Sequence, residues 1–385
     1  MAARHQIGSD VFSISSSNAP PRVAVVGAGF AGLSCARELM LSGCDPVVFE
    51  AQDRLGGRCS SRRTRVGLFD DGAQCIHEPS RLPAYAAQRA GELAALHSWT
   101  VAATPAEVHR EAKDRGEDDD DEEDGTVILR SVGAVGVPSM SALAEALARP
   151  LDVRLNTPIL QARRRSAGWT LRGPTGEIDE EFQALVLAVP APLAIGLARD
   201  SSALAYALGA VRYRSRWVLL LGSVRPVALP GYREFHGSPI ERVAAMHSKP
   251  GRLANAPQRW FVEADERWSL QHQHDDAEAV ADLLLENFRA HAGRSVTPNY
   301  LRAHQWRHAF VETPAATPMQ SACLWDDKVR LGVCGDSVVA SRVDRVHFSG
   351  VAMSRAVTEG LTSCRENNGA SKFVRSHIRQ LEPQL

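Results

Sequence analysis

Apolar positions along the chain fall into three textures. The first is a short unbroken run. Residues 22–27 read Arg-Val-Ala-Val-Val-Gly, as expected of a strand buried on both faces of a parallel sheet. Pro46-Val47-Val48-Phe49, Leu185-Val186-Leu187-Ala188-Val189-Pro190 and Leu331-Gly332-Val333-Cys334-Gly335-Asp336 repeat it. The second texture is helical spacing, seen from Leu33 to Met40, from Leu143 to Arg149 and from Val351 to about Cys364. In the last of these, residues 351, 352, 356, 357 and 361 are apolar. Asp275-Asp276-Ala277-Glu278 has the form of a capping box opening a further helix through Phe288. The third texture, Trp217 to Leu221 and the stretch around Trp260, predicts strands of an antiparallel sheet. Together these textures predict an α/β fold.

The chain has 385 residues, 44% hydrophobic and 23% charged, which is globular composition at a length for about two domains. Glycine and proline contents are ordinary, which excludes collagen-like and wholly disordered chains. Residues 117–124 are eight consecutive acids, and without them the formal charge of −1 turns positive. Such a run predicts a solvated loop or disordered insert; a polyanion-mimic or metal-buffering role is the alternative. The remainder holds no lysine-rich tract, so no nucleic-acid partner is expected. No stretch approaches the ~20 apolar residues that span a bilayer. The first 21 residues are polar and Ser-rich, without a signal core, and read as a disordered leader. Seven scattered cysteines without a CxxC pair suit a reducing compartment, the cytoplasm.

The chemistry begins at the first strand. Gly27, Gly29 and Gly32 form G-x-G-x-x-G, enclosing Phe30 and Ala31; a second strand follows and ends in Glu50-Ala51. Strand, glycine turn, helix, strand and acid fall within the roughly thirty-residue span of a dinucleotide-binding unit. Gly27 permits the tight turn, Gly29 lets backbone approach a diphosphate, and Gly32 lets helix and strand pack closely. The helix N-terminus offers free N–H groups to the phosphates. Glu50 can accept from both ribose hydroxyls of an adenosine half, and a carboxylate there would repel a 2′-phosphate.

Asp53-Arg54-Leu55-Gly56-Gly57-Arg58 adds a second glycine pair and two arginines. This resembles the extended FAD fingerprint of the amine oxidase, phytoene desaturase and protoporphyrinogen oxidase superfamily. The resemblance implies that Gly57 and Arg58 lie along the diphosphate. Later segments resemble the same superfamily in order and spacing. Gly136 to Leu143 is similar to its G-x-P-x-M-x-x-L, and Val153 to Ile159 to the strand that meets adenine, with Ile159 the contact. Gly335-Asp336 matches the pair at the ribityl–phosphate region. Ser349-Gly350-Val351 matches the segment opening a helix toward flavin N1 and O2. Trp306-Arg307-His308 matches the W-R-[YH] of renalases and their bacterial relatives, and Trp260 to Ser269 resembles their W-x-x-H-A-x-x-x-W-S strand. The resemblance spans about residues 22–365.

It implies a Rossmann-like FAD-binding domain of residues 22–82, 133–195 and 323–368. A discontinuous second domain on an antiparallel sheet, 83–132 and 196–322, would carry substrate, as in amine oxidases and p-hydroxybenzoate hydroxylase. Residues 369–385 would be a tail. Two departures stand out. Glu263 replaces the family's histidine, and Asp71, Cys75 and Ile76 replace a histidine and an aromatic pair in the segment beginning Phe69-Asp70. A glutamate there shifts the expected ligand toward cationic or neutral. The alternative is a tolerated packing change.

The implied reaction moves hydride from a C–H next to nitrogen, in an amine or dihydropyridine, to flavin N5, with O2 or another acceptor reoxidising the flavin. Glu263 and His308 are the polar candidates beside substrate; Trp306, Trp268 and Tyr213 are candidates for an aromatic wall. FAD is expected to be non-covalent, because no Ser-Gly-Gly-Cys segment exists. Cys59 and Cys75 read as small buried hydrophobes, His272 and His274 as solvated, and no metal is expected. A flavin monooxygenase, a desaturase or oxidase of an apolar ring, and a non-catalytic nucleotide-binding scaffold or redox sensor remain open alternatives.

Overall fold

The computed structural model describes residues 19–77, 95–103, 128–252, 258–293, 296–315 and 321–367. Most of the expected leader, the acidic run 117–124 and the tail 369–385 lie outside the described residues. Among the described residues, no helix is long and apolar enough to cross a membrane.

A six-stranded sheet has the order Leu324–Asp326, Leu331–Val333, Ala184–Leu187, Arg22–Val26, Asp45–Phe49, Asp152–Arg154. Every pairing is parallel except the antiparallel edge between the first two. The unbroken apolar runs are explained by the two faces. Val23 and Val25 pack beneath the helices Phe30–Leu41 and Val343–Asn367, while Ala24 and Val26 face Phe49, Trp169 and Phe182 on the other side. Each fully buried Val or Leu side chain stabilises such a sheet by about 1.5–3 kcal/mol.

A five-stranded antiparallel sheet has the order Tyr232–Glu234, Ile240–Ala245, Gln258–Ala264, Arg212–Ser223, Pro298–Thr313. Alternation divides its side chains. Trp217, Leu219, Trp260 and Val262 pack against Val280, Leu284 and Phe288 of the helix Ala277–Ala292. Val218, Leu220, Ala244 and Phe261 face the other way, onto Phe69 and Ile76. This second face turns toward the parallel sheet and bears on function.

Several boundaries differ from expectation. The helix expected to open at Ser349-Gly350 instead runs Val343–Asn367, so Ser349, Gly350 and Val351 lie in its interior and offer no free helix end. Asp344 in the first turn favours the earlier start, because a carboxylate there meets the positive end of the dipole. Gly350 serves packing instead: a Cβ there would stand 2.2 Å from the Ala31 carbonyl oxygen. The helix expected at Leu143 begins at Ser141, and the one expected to reach Phe288 continues to Ala292. Asp276 caps the latter, accepting from the Glu278 amide at 2.9 Å. The strand expected through Ile159 stops at Arg154, and Ile159 packs half-buried at the edge of the Trp169 cluster.

Candidate dinucleotide cradle and active site

Gly27 turns with φ +107°, conformational space that side chains with a Cβ rarely enter. A Cβ on Gly32 would stand 2.0 Å from the Gly27 carbonyl oxygen and 3.1 Å from the Ala188 methyl, so the helix closes directly onto the turn. A Cβ on Gly29 would meet nothing within 4 Å. Gly29 is the N-cap of the helix Phe30–Leu41, and no side chain caps it. Phe30 and Ala31 are buried in the first turn. Open space in front of uncapped amides is what a diphosphate requires.

Glu50 stands at the mouth of this turn. Its carboxylate accepts from the Ala28 amide at 2.8 Å and the Gln52 amide at 2.9 Å, beside exposed Ala51. The second glycine pair backs onto the first: the Gly56 amide donates to the Ala28 carbonyl at 2.9 Å, and Gly57 lies against Gly29. The two glycine segments therefore share one wall.

Arg58 leaves this wall and reaches the far end of the chain. Its guanidinium pairs closely with Asp336 and donates to the His308 carbonyl at 3.0 Å and the Ala309 carbonyl at 3.3 Å. Asp336 also accepts from Ser341 Oγ at 2.9 Å and the Tyr213 hydroxyl at 3.3 Å. Burial, then the Asp336 charge, pushes the Tyr213 hydroxyl up, so it remains a donor at neutral pH. Gly335 holds the turn before Asp336 at φ +106°, and its amide donates to Ser349 Oγ at 2.8 Å. Ser349 thus binds this turn through its side chain.

Of the candidates for substrate chemistry, His308 packs edge-on to Tyr213 at 5.2 Å. Burial, then the Arg58 charge, lowers its pKa below the usual imidazole value. The Trp306 indole donates to the Asp71 carbonyl at 2.8 Å. Asp71 is fully buried and accepts from Arg62 Nε at 2.9 Å and Ser60 Oγ at 3.0 Å, so it serves an internal ion pair. Trp268 does not join this face. The strand expected through it breaks at Asp265, which caps the helix Glu266–Gln271, and Trp268 packs on the opposite core beside His272.

Glu263 is not a free anion. It sits between Arg216, 3.4 Å away, and Arg242, 3.2 Å away. Burial raises its carboxyl pKa, against the pull of Arg242 and Arg216. The expected shift toward cationic ligands therefore loses its basis in a lone glutamate. Cys59 and Cys75 are buried, and burial pushes their thiols up to about 12 and about 11. His272 is bound to Asp275 at 2.7 Å, and His274 is exposed.

Sequence reasoning missed three groups. Lys249 is fully buried and donates to Asp70 at 3.0 Å and to the Gln74 carbonyl and side-chain oxygens, each at 2.9 Å. Arg252 joins Asp70 at 2.7 Å. His304 lies beside Trp306 on the inner sheet face, with both ring nitrogens buried and unbonded, and burial lowers its pKa to about 4. Arg216 and Arg242 come to Glu263 only through strand register. A Lys-Pro-Gly-Arg turn after a strand was the one available signal for Lys249.

A family model described as an NAD(P)-binding Rossmann-like domain matches residues 25–88. A tryptophan 2-monooxygenase of Pantoea agglomerans pv. gypsophilae is 57% identical across 52 residues, 13% of this chain and 8% of that protein. A human peroxisomal N(1)-acetyl-spermine/spermidine oxidase is 48% identical across 63 residues, 16% and 12% respectively. The matched stretch is thus at most about an eighth of these relatives' lengths. Structural likeness extends further. Cyclohexylamine oxidase from Brevibacterium oxydans IH-35A superposes with a TM-score of 0.65 at 12% identity, over 89% of this chain and 100% of that one. Wild-type putrescine oxidase bound to putrescine gives 0.62 at 14% identity, over 89% and 99%. The chain therefore shares the fold of cyclohexylamine oxidase and putrescine oxidase, and its residues 25–88 match the NAD(P)-binding Rossmann-like domain.

Proposed function

We propose that this chain is a renalase-like, FAD-dependent oxidoreductase that oxidises a C–H bond next to nitrogen, in an amine or dihydropyridine, with O2 as acceptor. The observation that carries the reading is the open, uncapped cradle at Gly29, walled by the second glycine pair and flanked by Glu50. Relatives named as amine oxidases support the substrate type.

The residues present fit FAD. Backbone from Gly27 to Gly32 would hold the diphosphate, Glu50 the adenosine ribose, and Arg58 would add positive charge, steadied by Asp336. Bound FAD supplies the hydride acceptor at N5. The rest falls to this chain. The inner face of the antiparallel sheet covers the Phe69–Ile76 segment and excludes water. Trp306 is fixed by Asp71, and a largely neutral His308 offers a hydrogen-bonding group without added charge. No Ser-Gly-Gly-Cys segment is present, which supports non-covalent attachment. The scattered cysteines, six of them free and buried among the described residues, support a cytoplasmic setting.

The test is anaerobic mixing of FAD-loaded protein with simple amines and with isomeric dihydronicotinamides. Bleaching of the flavin by a member of either class, reversed by air, is expected. A loaded protein bleached by neither class contradicts the reading.

A further inference from the structure

Arg216 and Arg259 are both buried residues of the antiparallel sheet, near its opposite ends. Arg216 is surrounded by Glu241, Glu263 and Glu266. Arg259, only 4% exposed, has no such company. Among the described residues, no carboxylate lies within ion-pair distance of it. Its guanidinium makes one hydrogen bond, from Nη1 to the Val66 carbonyl at 3.1 Å, and its Nε is buried and unbonded.

Ionisation does not relieve this charge. Burial, then the Arg252 charge, lowers the Arg259 pKa, but a guanidinium stays protonated in proteins. After burial, Arg259 is also what lowers the pKa of His247, so its field reaches the neighbouring turn.

The surrounding backbone is bare. Gly67 opens the second strand of the hairpin Ser61–Thr64 and Gly67–Asp70, with φ +116°. A Cβ on it would stand 2.1 Å from Arg259 Nη1. Across the sheet Arg259 is in register with Gly222, and Gly222 with Tyr300. A Cβ on Gly222 would stand 2.4 Å from Asn299 Oδ1, a further buried atom without a partner. Arg65, beside Val66 in the hairpin turn, donates from Nη2 to the Asn299 carbonyl at 2.7 Å. Two arginines thus converge on one turn, Arg65 from the hairpin and Arg259 from the sheet.

A buried charge without a counter-charge is costly, and one carbonyl dipole does not balance it. An anion beside it removes most of that cost. The planar arginine fork matches oxyanions two oxygens at a time, and two guanidiniums match a doubly charged one. We propose that Arg259 and Arg65 form a binding site for a phosphate group at this end of the antiparallel sheet, apart from the cradle and the proposed active site. The site does not depend on the oxidoreductase reading.

The experiment is calorimetric titration of the full-length protein with inorganic phosphate at constant ionic strength, with FAD added to fill the cradle. Thermal melting is read on the same samples. Saturation at one phosphate per chain is expected, with a melting temperature that rises as phosphate is added. Arg259→Gln should weaken binding at least about tenfold. Arg163→Gln, at an exposed arginine of another sheet, should leave it unchanged. Adenosine 5′-monophosphate, titrated alongside, separates a free ion from a phosphate ester: whichever binds more tightly, and loses its binding in Arg259→Gln, is the form the site takes. In phosphate-free buffer Arg259→Gln should melt no lower than the wild type, because the unbalanced charge is gone. Absence of saturable binding, or binding that Arg259→Gln leaves unchanged, overturns the proposal. So does a variant that melts lower without phosphate while phosphate leaves wild-type melting unchanged, because Arg259 then serves only to hold Val66.

Discussion

Arg58 and Asp336, 278 residues apart in sequence, meet in one ion pair. One ends the second glycine pair and the other ends a strand of the parallel sheet, so the pair joins the cradle to the last strand and, through Tyr213, to the antiparallel sheet. Asp336→Asn leaves a half-buried guanidinium without its carboxylate. A loss of about 1–3 kcal/mol in stability is expected from urea unfolding. FAD affinity should fall with it, by about tenfold or more in a fluorescence titration. An unchanged affinity would place Asp336 outside the cofactor's support.

Gly29 and Gly32 separate two roles that a single motif combines. Gly29→Ala adds a methyl to open space, so the melting temperature should hold while FAD binding is lost. Gly32→Ala drives a methyl into the Gly27 carbonyl and should cost at least about 2 kcal/mol in stability as well. Parallel melts and FAD titrations distinguish them. If Gly29→Ala binds FAD normally, the diphosphate lies elsewhere.

Asp70 gives the protein an acid limit. Burial raises its pKa, but Lys249 and Arg252 outweigh that and hold it at about 2. A carboxylate depressed in the folded state stabilises fully above its unfolded pKa of about 4 and loses that contribution as pH falls toward 2. The span corresponds to about 2 kcal/mol. Urea unfolding between about pH 5 and pH 2 should show that decline, and Asp70→Asn should flatten it. A variant with the same slope as the wild type would assign the acid sensitivity to other carboxylates.

Trp260 anchors the opposite face of the antiparallel sheet, fully buried against Phe288. Trp260→Ala should cost about 3–5 kcal/mol in urea unfolding. A loss under about 1 kcal/mol would mean that this core is not packed as described.

How much of this was legible in the sequence follows from the range of each signal. The cradle was legible because Gly27, Gly29, Gly32 and Glu50 act within one short stretch, where spacing alone specifies turn, helix and acid. The last helix was misjudged at its start because apolar periodicity marks a face and not an end; Ser349 bonds through its side chain from mid-helix. Trp268 was assigned to a strand because Asp265, the cap that breaks it, looks like any surface acid until its carboxylate accepts from the Arg267 and Trp268 amides. Glu263 was visible as a departure, but Arg216 and Arg242 reach it from neighbouring strands, and register is a long-range property. Lys249 was missed for the same reason: its burial depends on Asp70 and Gln74, more than 170 residues away.

The central claim is that FAD lies across this chain with its diphosphate at the Gly29 cradle. The most direct measurement is titration of flavin-stripped protein with FAD, followed by denaturation and recovery of the bound flavin. The account predicts saturation at one FAD per chain, released intact on unfolding, with no saturation in Gly29→Ala. Wild-type protein that stays colourless after reconstitution would contradict it.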